Sequence, residues 1–129
     1  MPTIARALVA LTAAAMAGVA LGLWFALDQT APLLGLTPDP MLARASIRAD
    51  NGSLFFMLAL LSGYGALKLN RTAVKLAAIV FLIALSGRML TLVLDGPVPN
   101  GLQPMLIEAV GAAIMVLAYL VWSNAPAPH

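Results

Sequence analysis

The chain contains no cysteine. Disulfides, thiolate metal sites and cysteine nucleophiles are therefore excluded. Histidine is nearly absent as well: the single copy, His129, ends the sequence. Ser62, Ser86 and Thr91 thus lack a histidine base, and no catalytic residue, metal site or cofactor is expected. Charge is scarce, at 9% of 129 residues with a net charge of +2. Nucleic acid is not an expected partner, because no basic stripe is interleaved with aromatic residues. No phosphate loop, zinc motif, dinucleotide fingerprint or nucleophile elbow occurs.

What the chain has is hydrocarbon. Hydrophobic residues make up 62% of it, far more than a soluble domain of this length needs. They fall in blocks of about 20 residues, the length that crosses a bilayer. The blocks run over residues 4–27, 49–67, 76–94 and 105–122. None alternates as a barrel strand would. Backbone groups in lipid must be satisfied within each segment, so the blocks are read as helices. The expected fold is all-α: one integral membrane domain over residues 1–129, a four-helix transmembrane bundle with one longer extracytoplasmic loop. The first block has a basic start and many alanines, as a signal peptide does. Its length of about 24 residues favours a transmembrane helix instead.

The connections differ. Residues 28–48 form the long one, with Pro32, Pro38 and Pro40 opposing helix in its first half. Its second half, Met41–Arg48, can form a short surface helix or extend the second span. The turn Asn70–Lys75 is short and basic, the turn Asp95–Gln103 is rich in Gly and Pro, and the tail Ser123–His129 reads as loose. Arg6, Lys68, Arg71 and Lys75 gather on one side. The positive-inside rule makes that side cytoplasmic and places both termini there. Trp24 and Trp122 fall near span ends, where indole rings prefer the interface.

Two charges interrupt the apolar blocks: Arg88 in the third and Glu108 in the fourth. Insertion scales penalise such a charge by roughly 2.5–3.5 kcal/mol. Arg88 lies about 10 Å below Asp95 along a helix, and Glu108 about 6 Å below Pro104. With antiparallel spans the two reach similar depths in the outer half of the membrane, where a guanidinium can meet the carboxylate. Arg44 and Arg48, one turn apart, sit above the same region. Arg44, Arg48, Arg88, Asp95 and Glu108 are therefore the candidate ligand-binding or structural ion network. For Arg88 and Glu108 a ligand-anchoring site and a structural ion pair are both open readings; Asp95 can also simply cap a turn with Gly96. Small residues mark expected helix contacts: Gly18 and Gly22 in the first span, Gly63 in the second, Gly111 in the fourth.

The residues in order are Arg44-x-x-x-Arg48, Asn51-Gly52, Gly87-Arg88, Asp95-Gly96-Pro97 and Glu108. This pattern resembles a group of small bacterial four-helix membrane proteins classed as a domain of unknown function. The resemblance runs from the second span onward. It departs at Asp50-Asn51-Gly52-Ser53, where the group has an aromatic followed by two glycines. It implies no activity, but it implies that Arg48, Arg88, Asp95 and Glu108 form a common core site.

These readings lead to one expected function. A protein of the bacterial inner membrane holds a lipid, a small amphipathic ligand or a partner subunit in an outward-facing polar pocket. Arg88 and Arg48 would anchor an anionic head group. One alternative is an enzyme on a lipid-like substrate with Glu108 as general acid or base. The other is a structural accessory subunit of a larger membrane complex or homo-oligomer.

Overall fold

A computed structural model describes residues 1–124 of the chain. His129 and most of the Pro-rich tail lie outside the described residues. All regular structure within them is helical: α1 (Pro2–Phe25), α2 (Leu27–Thr30), α3 (Met41–Ser46), α4 (Gly52–Lys68), α5 (Arg71–Leu94) and α6 (Leu102–Ser123). A 3₁₀ turn (Ala31–Leu34) follows α2, and a π turn (Ile47–Asn51) joins α3 to α4. Three helices, α1, α5 and α6, are long and apolar enough to cross a membrane.

The second apolar block is divided differently from expectation. α4 has only 17 residues. Helical backbone angles nevertheless continue from Met41 through the π turn into α4, since Ser46, Ile47, Asn51 and Gly52 all keep right-handed helical φ and ψ. Met41–Arg48 thus leads directly into α4 rather than lying apart from it. Pro32 does not keep its segment from being helical either. It sits in the first positions of the 3₁₀ turn, where a missing N–H costs no bond. The basic turn is shorter than the Asn70–Lys75 expected. Asn70 caps α5, its Oδ1 accepting from the Ala73 N–H at 2.9 Å, so helix begins at Arg71. Leu69 supplies the left-handed residue that ends α4.

The long helices run alternately up and down. α1 packs on α4, α4 on α5, α5 on α6, and α6 closes on α1. Val9, Val74, Ala77, Met115 and Ala118 lie fully buried on the shared axis. Ser62, also fully buried, donates to the Met115 sulfur at 4.0 Å. At the basic end, Arg6 Nε donates to the Ala66 carbonyl at 2.8 Å, satisfying an acceptor in the last turn of α4. Arg71 lies over the Tyr119 ring at 5.0 Å, joining α5 to α6.

The small-residue contacts only partly follow the expected stripes. A Cβ added at Gly111 would meet the Phe81 ring at 2.7 Å, so this glycine admits the ring between α5 and α6. Gly63 faces Ala13 of α1, with an added Cβ at 3.9 Å. Gly22 faces Thr30 of α2 rather than another long helix. Gly18 has nothing within 4 Å and is exposed. The expectation that Gly18 packs helices is corrected: α1 buries Ala5, Val9, Thr12, Met16, Ala20 and Leu23 instead. Bulk does not select that face, since Leu11, Leu21 and Phe25 of the same helix are exposed.

The opposite end is folded over by α2, the 3₁₀ turn and α3. Leu27, Ala31 and Ile47 bury against Leu23 there, with Leu34 and Leu36 packed alongside. Two polar ties hold this roof. Arg44 meets the Asp28 carboxylate with two hydrogen bonds, 2.7 and 3.2 Å. Trp24 and Arg48 bond reciprocally: the indole N–H donates to the Arg48 carbonyl at 3.1 Å, and Arg48 Nε donates to the Trp24 carbonyl at 3.0 Å. Gly52 lets the indole approach the start of α4, because a Cβ there would collide with Trp24.

Gly111→Ala should destabilise the detergent-solubilised protein by about 1–3 kcal/mol, as overpacking does, whereas Gly18→Ala, in open space within a helix, should not lower the thermal unfolding temperature and should raise it slightly; equal losses would refute the assigned contacts. The hydrogen bond from Arg44 lowers the Asp28 pKa below its ordinary 3.8. A depressed carboxylate pKa stabilises the fold fully above the ordinary value and loses that contribution as pH falls through the lowered one. Protection against hydrogen exchange across residues 27–46, taken relative to the intrinsic rate at each pH, should therefore fall only below about pH 3.8, and Asp28→Asn should abolish that acid-dependent step. A step that survives in Asp28→Asn would assign it to another group.

Candidate functional site

Arg88 projects from the last third of α5 and Glu108 from the second turn of α6. Arg88 Nε donates to Glu108 Oε1 at 2.8 Å. The two side chains reach each other because antiparallel helices bring a residue six before the end of α5 and one six after the start of α6 to one level. Their environments differ: the Arg88 side chain is 39% exposed and that of Glu108 is 14% exposed. Only one hydrogen bond joins them, although a guanidinium and a carboxylate can form two parallel ones. Glu108 Oε2 is buried without a partner. A buried acceptor left so costs roughly 1–3 kcal/mol.

Space adjoins the pair on more than one side. A cavity of about 380 Å³ is bounded by Asn51, Arg88, Thr91 and Glu108, with Leu34, Gly35 and Leu36 of the roof as another wall. A second cavity, about 270 Å³, lies among Met16, Val19, Leu58, Phe81 and Ile107. The two share Leu34, Leu54, Phe55, Ala84, Arg88 and Glu108 as lining. They read as one amphipathic recess, polar at one end and apolar at the other. A third space, about 320 Å³, touches the other side of Arg88 and lies among Thr91, Pro97, Val98, Leu102 and Met105.

The five candidate residues divide into three places. Arg88 and Glu108 meet, as the depth argument requires. Arg44 and Arg48 do not join them. Arg44 is bound to Asp28, and Arg48 to the Trp24 backbone. Neither lines the recess. The physical reason is proximity along the roof: α2 offers the Asp28 carboxylate and the end of α1 the Trp24 carbonyl before either guanidinium can reach Arg88. Asp95 also stands apart. It is exposed, its backbone N–H closes the last turn of α5 on the Thr91 carbonyl at 2.8 Å, and Gly96 follows with φ +93°. This is the turn-capping arrangement. A single network of Arg44, Arg48, Arg88, Asp95 and Glu108 is therefore corrected to one ion pair, one roof tie and one helix end.

Sequence reasoning missed the roof residues Leu34–Leu36 as a cavity wall, and it missed Phe55 and Phe81. Nothing in an apolar run distinguishes a residue lining a cavity from one facing lipid. Asp28 carried a signal, a charge directly after an apolar block, but its partner 16 residues away was not evident. Among the described residues no cluster of acidic, histidine or cysteine side chains could hold a metal ion.

The comparisons add a family and nothing about chemistry. No curated protein and no solved structure matches the chain. A family model described as a domain of unknown function (DUF4345) matches residues 4–119, nearly the whole length. The chain accordingly belongs to the DUF4345 family.

Proposed function

We propose that the chain is a four-helix transmembrane protein that holds a small amphipathic ligand or lipid between Arg88–Glu108 and the apolar recess beneath the roof. The single observation that carries this reading is the continuity of the two cavities. Four apolar residues and the ion pair line both. A polar group can sit at the pair while a hydrocarbon tail enters the space beside Met16 and Phe81. Concave, largely apolar sites with few polar groups are the usual form of a ligand site. An ionisable pair within membrane-spanning segments marks a functional site by default.

The helix directions support a topology. Arg6, Lys68, Arg71 and Lys75 lie at the end where Arg6 bonds to Ala66. The positive-inside rule sets that end in the cytoplasm, with the roof and recess outside, in the inner membrane of a bacterium. α4, at 17 residues, is short for a span of about 20 residues. Its extension through the π turn supplies the missing length.

The alternatives fit less well. A general acid or base at Glu108 should be free to exchange a proton with substrate, and here the carboxylate is tied to a guanidinium. A purely structural pair should close into a bidentate fork without space beside it, and neither condition holds.

The reading is tested by native mass spectrometry of the protein before and after delipidation. A retained small molecule or lipid should accompany the unaltered chain and be lost in Arg88→Ala and in Ala84→Leu, which fills the junction of the cavities. Identical spectra for all three proteins would contradict it. A cysteine placed at Thr37 of this cysteine-free chain should react with an impermeant maleimide on intact cells, and one at Thr72 should not; the reverse pattern would invert the topology.

A further inference from the structure

We infer that the head group taken by this recess is zwitterionic, carrying an ammonium for Glu108 and a phosphate for Arg88. The inference rests on the ligand reading above and adds the chemistry of the polar end. Among the described residues, Arg88 and Glu108 are the only ionic side chains lining the polar cavity. Their charges cancel, so the site is neutral as a whole. The two nearby cations that could have made it positive are held elsewhere, Arg44 by the Asp28 carboxylate and Arg48 by the Trp24 carbonyl.

A head group with one negative charge would meet a guanidinium already engaged and a carboxylate that repels it. A purely cationic head would meet the converse. A dipolar head laid against the pair in the opposite sense satisfies both charges without an excess of either sign.

The hydrogen-bonding capacity left over has the same character. Arg88 engages Glu108 through Nε alone. A guanidinium carries four more N–H donors on its terminal nitrogens, suited to phosphate oxygens. Glu108 accepts one bond at Oε1, and Oε2 has no partner. A carboxylate of this kind accepts from a primary ammonium, which brings three donors on one nitrogen. Asn51 adds an amide, a neutral donor and acceptor, on the same cavity. Thr91 already donates its hydroxyl to the Gly87 carbonyl at 3.2 Å and so offers the site an acceptor. The adjoining 270 Å³ recess accepts the first part of an acyl chain, and a glycerophospholipid with an ethanolamine head combines all these features.

The test titrates delipidated protein in detergent with three lipids of identical acyl chains: phosphatidylethanolamine, phosphatidylglycerol and diacylglycerol. Bound lipid is counted by native mass spectrometry. The unaltered protein should favour phosphatidylethanolamine over each of the others by roughly tenfold. Glu108→Gln, close in shape, should reverse the order and favour phosphatidylglycerol, because Arg88 is then an unopposed cation. Arg88→Lys, which keeps the charge but loses the planar donors, should weaken phosphatidylethanolamine severalfold and retain the order.

Three results overturn the inference: tighter binding of phosphatidylglycerol by the unaltered protein, equal binding of diacylglycerol, or no change of order in Glu108→Gln. If the preferred lipid is then still displaced by Ala84→Leu, the pocket stands and only its head-group chemistry is wrong. If no lipid responds to Ala84→Leu, the pocket reading fails with it.

Discussion

An arginine and a glutamate on apolar helices are each unfavourable in hydrocarbon and acceptable together. That constraint organises the half of the protein beneath the roof. Arg88 requires Glu108 at the same depth, which requires α5 and α6 to run antiparallel with a short connection. Gly111 and Phe81 then bring the two helices close one turn further in. With α5 and α6 fixed as a pair, α1 and α4 close the ring, and the space left at the level of the charges becomes the recess. The pair thus stabilises the helix register and defines the polar end of a cavity by the same contact. It is incompletely satisfied as an ion pair, with one hydrogen bond and an orphaned Oε2. A contact serving rigidity alone has no reason to leave that acceptor open.

The roof is the second organising feature, and it works by competition. Three charged side chains, Asp28, Arg44 and Arg48, lie near the roof ends of α1 and α4, and the chain engages each of them locally. Asp28 takes Arg44, and the carbonyl of Trp24 takes Arg48. The π turn at Ile47–Asn51 lies where these ties meet the start of α4. Such turns insert a residue into a helix and often occur at functional positions. Here the turn carries Arg48 toward α1 while Asn51 lines the recess. The roof consequently closes the cavity without adding its charges to it, leaving the polar end electrically balanced.

Much of the helical architecture was legible because lipid-compatible sequence has few alternatives. Unbroken apolar blocks can satisfy their backbone only as helices, and helical rise alone brought Arg88 level with Glu108. The register of small residues was less legible. Gly18 and Gly22 are one turn apart, yet α1 turns Ala5, Val9, Thr12, Met16, Ala20 and Leu23 inward, and Gly18 meets nothing. In a mostly apolar helix both faces look alike, so composition does not say which is buried. The placement of Arg44 and Arg48 failed for a different reason. Proximity in sequence suggested one outer cluster, but the partners that captured them, Asp28 and Trp24, lie on another helix segment and were read only as a loop residue and an interface anchor. Pro32 misled similarly, since a proline opposes helix in its interior and accommodates it in the first turn.

The account depends most on the contact between the two intramembrane charges. The direct measurement is a charge-reversal cycle on thermal stability in detergent, with Arg88→Glu, Glu108→Arg and the double exchange. Each single reversal should lower the melting temperature by placing like charges together, and the double exchange should recover most of the loss. Single reversals that leave stability unchanged, or a double exchange that merely adds their losses, would show that the two side chains do not act on one another.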